Sequence, residues 1–137
     1  MFVLYPNKNG KLSVLTPTGA RSVEDTIKKD VPSDTYKIVE SLNIDNNFFN
    51  AYEYDQEVGA KINISKAKEI RLEHYRRART PLLAALDVDF MRAVESGDVN
   101  LQKEIASKKQ ALRDVTKTDL PNTLEEIKAT WPDILPQ

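Results

Sequence analysis

Between Ser65 and Arg79 the chain places Lys66, Lys68, Arg71, Arg76, Arg77 and Arg79 beside only Glu69 and Glu73, six basic residues against two acidic, a local charge of +4. Cations at this density could contact phosphates, which is the chemistry of a nucleic-acid accessory protein. The simpler reading is a helix face that is solvated or neutralised within the chain, with Glu95, Asp98 and Glu104 of a following helix as partners. The stems of Arg76 and Arg79 also offer packing surface. His74, beside Glu73 and Tyr75, is the sole histidine, so it has no second imidazole with which to hold a metal, and Glu residues four or five positions away make ordinary helix ion pairs. Asn43, Asp45 and Asn47 imitate the start of a calcium loop. Phe48 then occupies the turn position that needs glycine, and Tyr54 stands where the bidentate carboxylate belongs, so the calcium reading fails. Asp87 and Asp89 begin a second weak acidic pattern, better read as a helix cap after Leu86.

Other chemistries are excluded by composition. The 137 residues contain no cysteine, four glycines and one histidine. Disulfides, thiolate metal sites and cysteine nucleophiles are therefore absent, and no glycine-rich phosphate loop, nucleophile elbow or HExxH pair is present. No cofactor or metal site is expected, and an enzyme is not. Twenty basic and 21 acidic residues give a formal charge of −1, which argues against nucleic acid as a general partner of the whole molecule. No segment has the roughly 18 consecutive apolar residues of a membrane span, and Phe2-Val3-Leu4-Tyr5-Pro6 is too short for a signal peptide. A cytoplasmic protein that does not engage a membrane is expected.

The elements that must position these residues fall into two textures, 1–64 and 65–137. Phe2–Tyr5 and Leu12–Leu15 are β-prone runs around Asn9-Gly10, a hairpin signal. Ser22 with Asp25 predicts a short capped helix to about Lys29, stopped by Val31-Pro32. Tyr36–Val39 reads as a strand, and Ala51–Asp55 and Ala60–Ile64 as a second hairpin. Tyr36, Phe48, Phe49, Tyr52 and Tyr54 either form a recognition surface or close the small core of this unit. From Ser65, read as an N-cap, apolar residues recur at helical spacing through Leu86; Pro81 either kinks this helix or starts a new one. A further run ends at Gly97, Asp98 caps a helix with Leu101, Ile105 and Leu112 on one face and Lys108 in the gap, and Thr123 with Glu126 predicts a short last helix. The fold class is α+β: a small N-terminal antiparallel β unit with a short helix, then a C-terminal helical hairpin and a short terminal helix.

The order of these features resembles a family of small bacteriophage tail-region proteins of the tail fibre assembly or tail accessory type, over most of residues 31–132. Val31-Pro32 followed by Tyr36–Val39 is similar to that family's Val-Pro turn and strand. Asn47-Phe48-Phe49-Asn50-Ala51-Tyr52-Glu53 resembles its Phe-Arg-Asn-Ala-Trp motif, with Phe49 and Tyr52 in place of Arg and Trp. Arg76 and Arg79 precede Leu86-Asp87, Lys109-Gln110-Ala111-Leu112-Arg113-Asp114 looks like its Lys/Arg-Gln-x-Leu-Arg-Asp signature, and Trp131-Pro132 matches its ending. The resemblance implies a non-enzymatic protein that binds a phage tail or tail-fibre component, as an adaptor in the virion or as an assembly chaperone. It further implies residence in the host cytoplasm during assembly, or in the virion tail, and self-association is a further option. Contact candidates are Phe48, Phe49, Tyr52, Tyr54, Arg76, Arg79, Arg113 and Trp131. The alternative partner is nucleic acid, through the basic helix 66–79.

Overall fold

The computed structural model describes all 137 residues and is α+β, as the patterning predicts. It divides into two compact units, Met1–Ala67 and Lys68–Gln137. In the first, β1 (Phe2–Pro6) is the centre of a three-stranded antiparallel sheet between β2 (Leu12–Leu15) and β3 (Lys37–Val39). The β1–β2 turn is built by Asn7, whose side-chain oxygen accepts from the amides of Asn9 and Lys11 at 2.9 and 3.0 Å while Gly10 takes φ +75°. Helix α1 (Val23–Asp30) starts at Ser22, whose hydroxyl accepts from the Asp25 amide at 3.2 Å. Antiparallel β4 (Tyr52–Asp55) and β5 (Gly59–Ile62) form the second hairpin.

Neighbouring residues of a strand point to opposite faces, yet Val3 and Leu4 are both buried. β1 is therefore covered on both sides. On the Leu4 side the cover includes the β4–β5 hairpin, where Gly59 approaches so closely that an added Cβ would lie 2.8 Å from Leu4 Cδ1. Asp55 closes that hairpin by accepting from the amides of Glu57 and Val58, and these two bonds hold its carboxyl below the usual carboxylate range.

Helix α2 (Ile64–Glu95) opens two residues earlier than expected. Its cap is Asn63, not Ser65: the Asn63 side chain accepts from the Lys66 amide at 3.2 Å. Asn63 and Lys66 both donate to Glu53, at 2.9 and 3.0 Å, and in that order they depress its pKa. The helix runs through Pro81 unbroken. Proline removes one backbone donor, and at this exposed position water can take the orphaned carbonyl. Consequently Asp87 is not a cap but a mid-helix residue, paired with Lys109 at 2.5 Å.

The hairpin turn is a Schellman motif. The amides of Gly97 and Asp98 donate to the carbonyls of Val94 and Ala93, with Gly97 at φ +70°, and Asp98 then caps α3 (Val99–Asp114) through the Leu101 amide. The seam of α3 is Gln102, Ile105, Lys109 and Leu112. Leu101 and Lys108, assigned to it from spacing, are exposed. Ile105 and Leu112 stand as expected, and the other two positions move on by one residue, to Gln102, which donates to the Ala93 carbonyl, and to Lys109, whose ammonium lies 5.5 Å from the Phe90 ring centre. A 3-10 turn (Val115–Lys117) follows, then α4 (Leu124–Ala129), capped by Thr123 as expected.

Candidate functional site

The face of α2 that looks inward in the helical unit is made of residues at three- and four-residue spacing: Arg71, Tyr75, Arg79, Leu82 and Leu86. Its two arginines do related work eight residues apart. Arg71 donates to the carbonyls of Lys128 and Thr130 at 2.7 and 3.3 Å, at the C-terminal end of α4. Arg79 donates to the carbonyls of Leu112 and Arg113 at 3.3 and 2.8 Å, at the end of α3. A helix leaves its last carbonyls unpaired and carries partial negative charge there. One cationic side chain of α2 thus satisfies each of the two helix ends.

Between them Tyr75 is completely buried. Its hydroxyl donates to the Thr130 carbonyl at 2.8 Å, and burial raises its pKa against the opposing charge of Arg71. The Trp131 ring meets Tyr75 edge to face at 5.2 Å, and the Arg71 guanidinium lies 4.8 Å from the Trp131 ring centre. The indole N–H donates to the Leu135 carbonyl at 3.1 Å, so residues 131–135 form a closed loop fixed to α2. That loop carries Ile134 to the mouth of an open groove of about 350 Å³. Leu82, Ala85 and Leu86 of α2 and Lys108, Ala111 and Leu112 of α3 complete the walls, and the lining is almost wholly apolar. A hollow of that size and character suits inserted apolar side chains.

The residues singled out from sequence do not form one site. Phe48 (1% exposed) and Tyr52 (8%) belong to the core of the first unit and are not a contact surface. Alternation and the 3-10 segment Asn46–Ala51 turn them inward, and the Tyr52 hydroxyl accepts from the Asp45 amide. Phe49 and Tyr54 are half-buried in the same unit; the Tyr54 hydroxyl meets the Gln56 side chain at 3.2 Å, and burial raises its pKa. Arg76 is exposed and paired with Glu73 at 3.2 Å. Arg79 is the α3 cap just described, and the Arg113 side chain is exposed while its carbonyl receives Arg79. Trp131 is the anchor of the C-terminal loop.

The cations of the basic cluster are all engaged within the chain, but by other partners than expected, and only some of those partners are acids. None of its cations pairs with Glu95, Asp98 or Glu104. Lys66 uses Glu53, Lys68 uses the Asn122 side chain, Arg71 and Arg79 use backbone carbonyls, and Arg76 and Arg77 share Glu73. Carbonyl partners leave no mark in a charge pattern, which is why spacing pointed to acids instead. Ile134 also escapes a sequence reading: its only signal is an apolar pair, Ile134-Leu135, held between two prolines in a polar tail.

No three Asp, Glu or His residues are grouped so as to hold a metal ion, and no helix is long and apolar enough to cross a membrane. Fold and geometry define an α+β chain whose helical unit presents an apolar groove walled by its own C-terminal segment. No known family, no characterised protein and no solved structure matches it.

Proposed function

We propose that the chain is a non-enzymatic bacteriophage tail-region protein that binds a tail or tail-fibre component, as an adaptor in the virion or as a fibre assembly chaperone. The observation that carries this reading is the Leu82–Leu86–Leu112–Ile134 groove, open at the surface and lined by apolar side chains. Apolar surface left in water is unfavourable by roughly 25 cal/mol per Å², so such a hollow is best explained by a partner segment that fills it. The phage assignment itself rests on the sequence resemblance, which covers the helix carrying the groove. Trp131 and Arg79, two residues within that likeness, hold the groove's walls together.

Co-expression of the full chain with its genomic neighbours, followed by purification of complexes, tests the proposal. A stable complex with one tail protein is expected, and Ala85→Glu or Ala111→Glu should abolish it. Both alanines are exposed, so the charges should not unfold the chain. Recovery of free protein with every neighbour overturns the reading.

Nucleic acid is the second reading, supported by the +4 segment and by the 77% exposure of the Arg77 side chain. It predicts steeply salt-dependent binding that weakens in Arg76→Ala and Arg77→Ala. Four of the six cations there are already engaged with protein groups beyond their own helix, so this reading stands second.

A further inference from the structure

The outer face of α2, away from the groove, carries an apolar stripe whose ends bear opposite charge. Reading along it, Arg77, Pro81, Ala84, Val88, Met91 and Glu95 recur at intervals of four, three, four, three and four, the spacing of a coiled-coil seam. All six are exposed, Val88 to 51% and Met91 to 60%. Arg77 lies 3.8 Å from Glu73, which has a nearer partner in Arg76, and Glu95 makes no ion pair within its own chain.

The stripe is a palindrome about residue 86. Arg77 and Glu95, Pro81 and Met91, and Ala84 and Val88 are each equidistant from that point. A two-fold axis there brings each residue opposite its complement on a second copy, which is the requirement of an isologous interface. Small faces large, and cation faces anion at both ends. We propose that this face of α2 is an antiparallel homodimer seam, occupied by the same face of a second copy of the chain. Charge selects the direction: a parallel pair would set Arg77 against Arg77 and Glu95 against Glu95, whereas the antiparallel pair makes two Arg77–Glu95 contacts about 27 Å apart, the rise of 18 helical residues. Asp87, which would flank the axis in both copies, is already neutralised by Lys109 at 2.5 Å. The seam leaves the groove free, so self-association and partner binding are separate events.

Sedimentation equilibrium of the full chain at low salt across the micromolar range tests this, with helix content followed by circular dichroism. A reversible monomer–dimer equilibrium is expected. Arg77→Glu and Glu95→Arg should each weaken it at least about tenfold, and the double reversal should restore it, because two symmetry-related pairs change together. The chain has no cysteine, so Pro81→Cys chains mixed with Met91→Cys chains under mild oxidation should give the mixed disulfide. Like residues would stand about 15 Å apart along the seam and would not join. A monomer throughout, a dimer indifferent to either reversal, a double reversal that fails to restore association, or a preponderance of like-with-like disulfides overturns the proposal.

Discussion

Replacing Trp131 by alanine probes how the C-terminal loop is held. The residue makes three separable contacts: the edge-to-face pair with Tyr75, the cation–π contact with Arg71, and the indole hydrogen bond to Leu135. An aromatic pair contributes about 0.5–1.5 kcal/mol, a partly exposed cation–π contact about 0.5–1, and a neutral hydrogen bond about 1. Trp131→Ala should therefore cost about 2–4 kcal/mol, below the upper end for a fully buried indole because the ring is only half-buried. Trp131→Phe keeps the ring but not the donor and should cost about 1 kcal/mol. Urea unfolding followed by far-ultraviolet circular dichroism measures both. A double-mutant cycle with Tyr75→Leu should return a coupling of about 0.5–1.5 kcal/mol. In the parent chain Trp131 is the only tryptophan, so its emission reports the docked loop directly and should shift to that of a hydrated indole when the loop leaves. Because Ile134 belongs to the same loop, Trp131→Ala should also weaken any ligand of the groove without touching its helical walls. A cost under about 0.5 kcal/mol, or no coupling to Tyr75, would refute the anchor.

Arg79→Met should destabilise the helical unit by about 1–3 kcal/mol, since it strands the carbonyls at the end of α3, and Arg79→Lys should recover part of that loss; thermal unfolding of the two variants decides it. Gly59→Ala should cost about 2–4 kcal/mol, from a left-handed φ of +88° and a Cβ 2.8 Å from the buried Leu4 side chain, read as a lowered denaturation midpoint. Glu53, Asp55 and Asp114 all have lowered pKa values, by Asn63 and Lys66, by the Val58 and Glu57 amides, and by Lys117 and Gln110 respectively. A depressed carboxylate stabilises the fold above the ordinary carboxylate range and loses that contribution as pH falls through and below it, so the melting temperature should decline in that acid window, less steeply in Glu53→Gln.

The sequence by itself determined the elements. Period-two runs, Asn-Gly punctuation and capping residues such as Ser22, Asp98 and Thr123 are local signals, and each places its element within a residue or two because the forces involved act between near neighbours in the chain. The fate of Pro81, the cap at Asn63 and the α3 seam were not decided locally. A proline on an exposed helix face is tolerated where the freed carbonyl meets water, and the seam shifts to Gln102 and Lys109 because each finds a partner on α2 that spacing does not specify. Tertiary structure alone decided that Phe48 and Tyr52 face inward, that Arg71 and Arg79 of α2 end on backbone carbonyls, and that Ile134 stands at the mouth of the groove. Carbonyls carry no side-chain identity, and contacts between residues tens of positions apart are set by which faces pack, so no reading of residue types along the chain contains them.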